Sequence, residues 1–128
     1  MQNLKKMANK NRRTTEDELM NRFTLGEDYV KGLRMKYPWV ERAVSSGLRL
    51  GNKSVYTRTF EVDGQHMVVP TVRRKRDKSG KPMDQLVQMS DSDALEMALR
   101  QQDFIPAPSP EAAEYISRGF SNYQGSRR

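Results

Sequence analysis

Apolar residues in the first third of the chain recur every three or four positions, which is the spacing of an amphipathic helix. A capping box formed by Thr15 and Glu18 predicts the start of a first helix. A second helix is predicted over residues 27–37, where Pro38 ends it and begins a short third helix that Gly47 closes. This part of the chain is therefore expected to be helical.

In the middle of the chain the spacing of apolar residues changes to every second position, which is typical of a β-strand. β-Branched and aromatic residues are frequent there, in residues 53–62 and 65–72. Asp63 and Gly64 join these two runs, and this dipeptide is typical of a type I′ turn, which needs positive φ at both positions. The pattern therefore predicts a β-hairpin with a two-residue loop. Its register pairs Val62 with Gln65, Glu61 with His66, Phe60 with Met67, Thr59 with Val68 and Arg58 with Val69.

Positive charge dominates the residues that follow the hairpin. Pro70 has no amide proton to donate, so the second strand is expected to lie locally at a sheet edge. Residues 73–82 carry six basic side chains around a Ser-Gly pair and predict a basic loop. Residues 86–89 form a candidate short third strand on the far side of that loop.

Two helix starts are visible in the last third of the chain. Ser90 precedes a run with two aspartates in its first turn, and Ser109 is followed by proline and glutamate. The second of these helices is expected to end at Gly119, and residues 103–108 are expected to form a linker between the two. Because an isolated hairpin is marginal in water, both helices are expected to cover it.

The sequence therefore predicts an α+β fold with N-terminal helices, then a β-hairpin with a candidate short third strand, and two C-terminal helices over the hairpin. Four segments are expected along the chain. They are a basic flexible arm at 1–14, a helical docking segment at 15–50, an α+β module at 51–120 and a polar tail at 121–128.

Composition narrows the classes of function. The 128 residues suit about one domain, and the hydrophobic fraction of 35% suggests a thin core that gains stability from neighbours in an assembly. The absence of cysteine excludes disulfides, thiolate metal sites and a cysteine nucleophile. No apolar run is long enough for a membrane span, and no secretory signal is expected. The net charge of +7 favours anionic partners: nucleic acid, a lipid surface or an acidic protein face.

The basic residues fall into two clusters, one in the N-terminal arm and one in the predicted loop. Such clusters attract phosphates, so both are candidate contacts with nucleic acid or another polyanion. A solvated tail and a solubilising loop are equally good interpretations of them. The candidate residues are Lys5, Lys6, Arg12, Arg13, Arg73, Arg74, Lys75, Arg76, Lys78 and Lys81.

A catalytic constellation is not recognisable in the sequence. His66 is the only histidine, and it faces Glu61 in the predicted register rather than a nucleophile or a metal ligand. Asp91 and Asp93 are better explained as helix caps and dipole partners than as a metal site. We therefore expect a protein that is not an enzyme and has no cofactor, no metal and no small-molecule substrate.

Several short sequence blocks follow one another in a fixed order in the second half of the chain. They are Phe60-Glu61-Val62-Asp63-Gly64, Val69-Pro70-Thr71-Val72, Ser90-Asp91-Ser92-Asp93-Ala94, Phe104, Ser109-Pro110-Glu111-Ala112-Ala113 and Tyr115. In this order the blocks resemble a small module of phage and prophage virion-associated proteins, which include internal and DNA-ejection proteins. Two departures from that module are the longer, more basic loop and the residues 101–103, which stand where the module has a glycine-rich stretch.

This resemblance implies a non-enzymatic structural component of a bacteriophage virion, either internal or ejected, or associated with the head–tail region. Such a protein would be made in the bacterial cytoplasm and would contact other virion proteins in a homo- or hetero-oligomeric assembly. Its basic segments would face packaged DNA or acidic partners. The alternative is a free phage protein that binds nucleic acid without sequence preference or acts as a regulator.

Overall fold

The computed structural model describes residues 23–47 and 55–126. The predicted N-terminal arm and the start of the predicted first helix lie outside these residues. The elements in chain order are α1 (Glu27–Lys36), α2 (Pro38–Ser45), β1 (Thr57–Val62), β2 (Gln65–Pro70), β3 (Val72–Arg76), β4 (Pro82–Gln88), α3 (Asp91–Gln101), β5 (Ile105–Ala107) and α4 (Pro110–Ser126). The predicted α+β class, with helices before and after the strands, is confirmed.

The two N-terminal helices lie where their spacing predicts them. Helix α1 ends at Lys36, and its C-cap residue Tyr37 has an extended backbone because the following residue is Pro38. Pro38 then occupies the first turn of α2, where a missing amide proton costs nothing. Val40 and Val44 on α2 are fully buried, so this short helix is fixed by packing rather than by its own length.

Strands β1 and β2 form the predicted hairpin with the predicted register, from Val62 opposite Gln65 to Arg58 opposite Val69. Asp63 and Gly64 have φ values of 52° and 81°, as a type I′ turn requires. The turn therefore sets which side chains of β2 face each side of the sheet.

A third strand, β5, contradicts the linker predicted for residues 103–108. Ile105–Ala107 pairs antiparallel with β2 opposite residues 66–68, so β2 is the central strand of the sheet. This strand was not predicted because two of the four residues 105–108 are prolines, and proline is depleted from strands. Pro106 is tolerated because β5 is an edge strand. Pro70 lies beyond the stretch of β2 that pairs with β5.

The predicted basic loop is also wrong in part, because residues 72–76 form strand β3 and only residues 77–81 form a turn. Strand β3 pairs antiparallel with β4 in a separate two-stranded sheet that contains an irregularity between Arg74 and Arg76. The candidate third strand at 86–89 is present but longer, since it begins at Pro82. Sequence pattern could not show β3, because its last three residues are all charged and exposed.

The C-terminal helices begin at their predicted caps. Ser90 Oγ accepts the Asp93 amide at 3.3 Å, and Ser109 Oγ accepts the Ala112 amide at 3.1 Å. The predicted end of α4 at Gly119 and the predicted tail after it are wrong, because the helix continues to Ser126. Gly119 lies inside the helix, where its lack of a side chain allows Leu25 to pack closely against it. The Leu25 amide donates a hydrogen bond to the Gly119 carbonyl at 3.1 Å.

Two clusters of buried side chains lie on the two sides of β2. Val68 belongs to the larger cluster, which is supplied by α1, α2 and α4. Met67 and Val69 point the other way and pack with Ala94 and Ala98 of α3. The helices of the predicted docking segment therefore share one core with the sheet. Among the described residues, no helix is both long enough and apolar enough to cross a membrane.

Candidate nucleic-acid interface and adjoining cavity

Strands β3 and β4 form a two-stranded arm that we call the basic ribbon, defined as residues 72–88. Six basic and two acidic side chains give it a net charge of +4, more than half of the net charge of the chain. From Arg74 to Gln85 every residue of the ribbon is exposed. Side chains alternate between the two faces of a strand, so the cations of β3 project on both sides of the ribbon.

The turn at the tip of the ribbon is organised by Asp77. Its carboxylate accepts hydrogen bonds from the Ser79 amide at 2.9 Å, the Ser79 hydroxyl at 2.6 Å and the Lys81 amide at 2.9 Å. The Ser79 hydroxyl and then the Lys81 amide lower the pKa of the Asp77 carboxyl from its ordinary value. Arg76 Nη1 donates to the Gly80 carbonyl at 2.7 Å across the same turn.

These contacts explain how a ribbon so rich in like charge keeps a defined shape. Asp77 satisfies the amides of the turn, and the Asp77 amide in turn donates to the Lys81 carbonyl at 2.9 Å. One of the two acids of the ribbon is thus used internally, in the manner of an Asx turn. The side chains of Arg74, Lys75, Lys78 and Lys81 are exposed cations, and they are placed to meet an external anion.

Arg73 differs from the other predicted contacts because its side chain is four-fifths buried. Its Nη1 lies 3.2 Å from Asp103 Oδ2 and 3.2 Å from Gln101 Oε1. Asp103 is only 7% exposed and also lies 3.6 Å from Arg42 Nη2 on α2. One buried carboxylate thus links α2, β3 and the end of α3. Sequence reasoning missed Asp103, because it falls in the predicted linker and no local pattern marks it.

A cavity of about 730 Å³ opens beneath the base of the ribbon. Its walls come from α2, the ribbon, α3 and α4. Three nitrogens beside it are buried and have no acceptor among the described residues, namely Trp39 Nε1, Arg73 Nε and Arg73 Nη2. The side chains that give the cavity its chemical character include Trp39, Arg42, Arg73, Val87, Met89 and Met97.

The other sequence candidates are placed as follows. Lys5, Lys6, Arg12 and Arg13 lie outside the described residues. His66 is half-buried on β2 opposite Glu61 of β1. The aspartates at the start of α3 serve the helix, with the Asp93 amide bound to Ser90, while Asp91 Oδ1 lies 3.1 Å from Arg58 Nε. Residues 23–47 and 55–126 contain no group of three His, Cys, Asp or Glu side chains that could hold a metal.

Comparison of the chain with protein families, with curated proteins and with solved structures found no match. The ribbon and the cavity are therefore the features from which a function can be inferred.

Proposed function

We propose that the protein is a non-enzymatic component of a bacteriophage particle that binds nucleic acid without sequence preference through its basic ribbon. The observation that carries the nucleic-acid part is the ribbon itself, a two-stranded arm of net charge +4 whose cations other than Arg73 are all exposed. The particle setting is supported by the resemblance of the sequence blocks to virion-associated proteins.

The shape of the ribbon suits duplex DNA. The major groove is about 12 Å wide and admits a two-stranded ribbon, with phosphates along both walls. Because successive side chains of β3 point to opposite faces, Arg74 and Lys75 can reach opposite walls of one groove. Contacts between cations and phosphates carry no sequence information, so binding is expected to be insensitive to sequence.

Assembly contacts are supported by apolar side chains that the core leaves exposed. Met35 on α1 is 82% exposed, and Tyr29 and Tyr115 keep nearly half of their surface. Phe23 packs on the Tyr115 ring with centroids 4.5 Å apart, so aromatic rings lie together at this surface. We expect such a surface to bind other virion proteins or further copies of the chain.

The nucleic-acid part is tested by a salt titration of binding to mixed-sequence duplex DNA. The variant replaces Arg74, Lys75 and Lys78 with Gln, while Arg73 is kept because of its contact with Asp103 and Arg76 because of its bond to the Gly80 carbonyl. A control variant removes the same number of charges from helices through Lys31→Gln, Lys36→Gln and Arg100→Gln. The ribbon variant should bind more weakly. Its slope of log K against log salt should be shallower by about 0.9 for each phosphate that it no longer neutralises.

Melting temperatures of both variants should stay close to that of the parent protein, because exposed side chains away from caps and core contribute little to stability. Equal slopes for the ribbon variant and the helix control would refute a ribbon interface. The particle setting is tested by mass spectrometry of purified particles, from which the protein should not be removed by washing. A stable monomer that binds DNA and is absent from particles would favour the free nucleic-acid-binding alternative.

A further inference from the structure

Gly32 lies in the middle of α1, where the rest of the fold gives no reason for a glycine. Glycine is one of the least favourable residues inside a helix, and it is usually kept there for close packing or for a positive φ. A Cβ built at Gly32 meets nothing within 4 Å, whereas one at Gly119 would collide with Leu25. Gly32 also has no positive φ. The remaining use of a glycine on a helix surface is to let a second backbone come close from outside the chain.

Four exposed side chains surround Gly32 on the same side of the helix. They lie three or four positions before and after it, so the helical repeat brings them within about 60° of Gly32 around the axis. Two of them are apolar, and Met35 is 82% exposed and Tyr29 46% exposed. The buried residues Val30 and Leu33 lie further round the helix. We call this surface the α1 face, defined as Asp28, Tyr29, Gly32, Met35 and Lys36.

The two charged residues of the α1 face lie at opposite ends of the helix and have no counter-charge. Asp28 is in the first turn and Lys36 is in the last turn. The neighbouring Glu27 is used within the fold, because its carboxylate accepts a hydrogen bond from the Tyr123 hydroxyl at 3.0 Å. The Lys36 ammonium lies 5.7 Å from the centre of the Tyr37 ring. Neither Asp28 nor Lys36 forms an ion pair with a described residue.

The α1 face is complementary to itself. When a second α1 helix runs antiparallel across the first with the two Gly32 residues in contact, each residue before Gly32 is level with the residue equally far after it in the other copy. Asp28 is then level with Lys36 of the second copy, and their charges attract. Tyr29 is level with Met35 of the second copy, and a methionine sulfur contacts an aromatic ring favourably. A parallel pair would instead set each charge against the same charge.

We propose that the protein forms a two-fold symmetric dimer through the α1 face, in which two α1 helices cross antiparallel at Gly32. Such an interface is isologous, since each residue that contacts a second one in the other copy is contacted by it in return. The inference rests on the assembly contacts of the proposed function and names a second copy of the chain as their partner. It is independent of the basic ribbon.

The size of the surface sets the expected affinity. Helix α1 has 10 residues and is about 15 Å long. Burial, and next the neighbouring Tyr115, raise the pKa of the Tyr29 hydroxyl, so the Tyr115 ring extends the apolar surface beside Tyr29. The contact is nevertheless small in comparison with the roughly 800 Å² on each partner of a standard interface. We therefore expect a dissociation constant in the micromolar range.

Sedimentation equilibrium of the full chain measures the dimer directly, over a range from about 1 µM to about 500 µM. The buffer should contain about 0.15 M salt, at which the Debye length is about 8 Å, because two copies of net charge +7 repel each other over longer distances at low salt. The parent protein should pass from monomer to dimer within this range. A parent protein that is still monomeric at about 500 µM overturns the proposal.

A charge exchange tests the antiparallel pairing. Asp28→Lys and Lys36→Asp each replace both attractive pairs of the dimer with repulsive ones, so each variant alone should dimerise at least about tenfold more weakly. An equimolar mixture of the two variants restores opposite charges at both positions and should recover the affinity of the parent protein. The double variant should recover it as well. A mixture that dimerises no better than the single variants contradicts the pairing and overturns the proposal.

Two neutral variants test the centre of the α1 face. Gly32→Gln introduces a polar side chain at the crossing point, and Met35→Gln removes the most exposed apolar side chain. Both should weaken the dimer by about tenfold or more, because the helices can no longer approach closely or lose an apolar contact. Leu99→Gln is the matched control, since it removes an exposed apolar side chain from α3 and should leave the dimer unchanged. Equal dimerisation of the parent protein and both variants of the α1 face would rule out this interface.

Loss of the dimer can be distinguished from loss of the fold and from failure of the DNA proposal. Gly32→Gln should melt no lower than the parent protein at low concentration, because glutamine favours a helix more than glycine does. The DNA titration is done with labelled protein at about 10 nM and DNA as the titrant, so that the parent protein and every variant are monomeric. Under these conditions Gly32→Gln should have the salt slope of the parent protein, whatever the outcome of the sedimentation experiments.

Discussion

Replacing glycine with alanine at Gly119 and at Gly32, which lie in two different helices, is expected to change the free energy of unfolding in opposite directions. Both glycines lie inside helices, where glycine is less favourable than alanine by about 0.8–1 kcal/mol. A Cβ built at Gly32 meets nothing within 4 Å. Gly32→Ala should therefore raise the free energy of unfolding by about 0.5–1 kcal/mol, the gain expected from helix propensity alone.

At Gly119 the same methyl group has no room. It would lie 2.6 Å from Phe23 Cε1, 2.8 Å from Leu25 Cγ and 2.9 Å from Leu25 Cδ2, against the roughly 3.5–4.0 Å of an ordinary carbon–carbon contact. Leu25 is 3% exposed, and its amide is bonded to the Gly119 carbonyl, so it cannot withdraw without weakening that bond. Overpacking costs about 1–3 kcal/mol, which exceeds the propensity gain of about 1 kcal/mol.

Gly119→Ala should thus lower the free energy of unfolding by about 1–2 kcal/mol, counting some weakening of the Leu25 hydrogen bond. The two variants should differ by about 2 kcal/mol in urea unfolding, or by roughly 8 °C in melting temperature for a domain of this size. A Gly119→Ala variant as stable as Gly32→Ala would show that residues 23–25 do not press on α4 as described.

Two further predictions concern turns. Gly64→Val should lower the melting temperature, because a β-branched residue resists the φ of 81° at this position at a cost of about 1–3 kcal/mol. Gly64→Asn should retain most of the stability. Equal melting temperatures for the two variants would contradict a type I′ turn at this position. The lowered pKa of Asp77 means that its charged form is favoured in the folded ribbon, so this stabilisation is complete above the ordinary value of 3.8 and is lost as pH falls through the folded pKa. Amide chemical shifts of Ser79 and Lys81, followed from about pH 6 to about pH 2, should move with that titration, and Asp77→Asn should abolish the change.

The features that the sequence predicted are those that depend on neighbouring residues. The Asp63-Gly64 dipeptide sets the turn geometry by itself, and the turn determines every pair of the β1–β2 register. Ser90 and Ser109 cap their helices through amides three residues away, so their roles are visible locally. Local chemistry of this kind can be read from a single sequence.

The features that the sequence did not predict depend on distant residues. Strand β5 exists because β2 offers an edge to Ile105, in spite of the adjacent prolines. Helix α4 passes through Gly119 because Tyr123 and Gln124 beyond it are buried by tertiary packing, and Gln124 Nε2 donates to the Ala43 carbonyl at 3.1 Å. Packing of this kind overrides the propensity of glycine to end a helix.

The same limit applies to the candidate site. The density of basic residues in the ribbon was visible in the sequence, but its strand geometry was not, since a run of charged residues leaves no alternation to detect. Trp39 and Arg73 line the cavity and Asp103 contacts Arg73, and these residues come from three separate parts of the chain. No local pattern connects them.

The contact of Leu25 with Gly119 also limits how early the protein can complete its folding during synthesis. The ribosome adds about 5–20 residues each second, so roughly 5–20 s separate the appearance of Leu25 from that of Gly119. During that interval Val30, Val40 and Val44 lack the helix that covers them in the finished protein. The nascent chain therefore exposes these apolar side chains until α4 emerges from the ribosome. Folding of the described region cannot be completed before that point, so general chaperones that shield nascent chains have at least this interval in which to act.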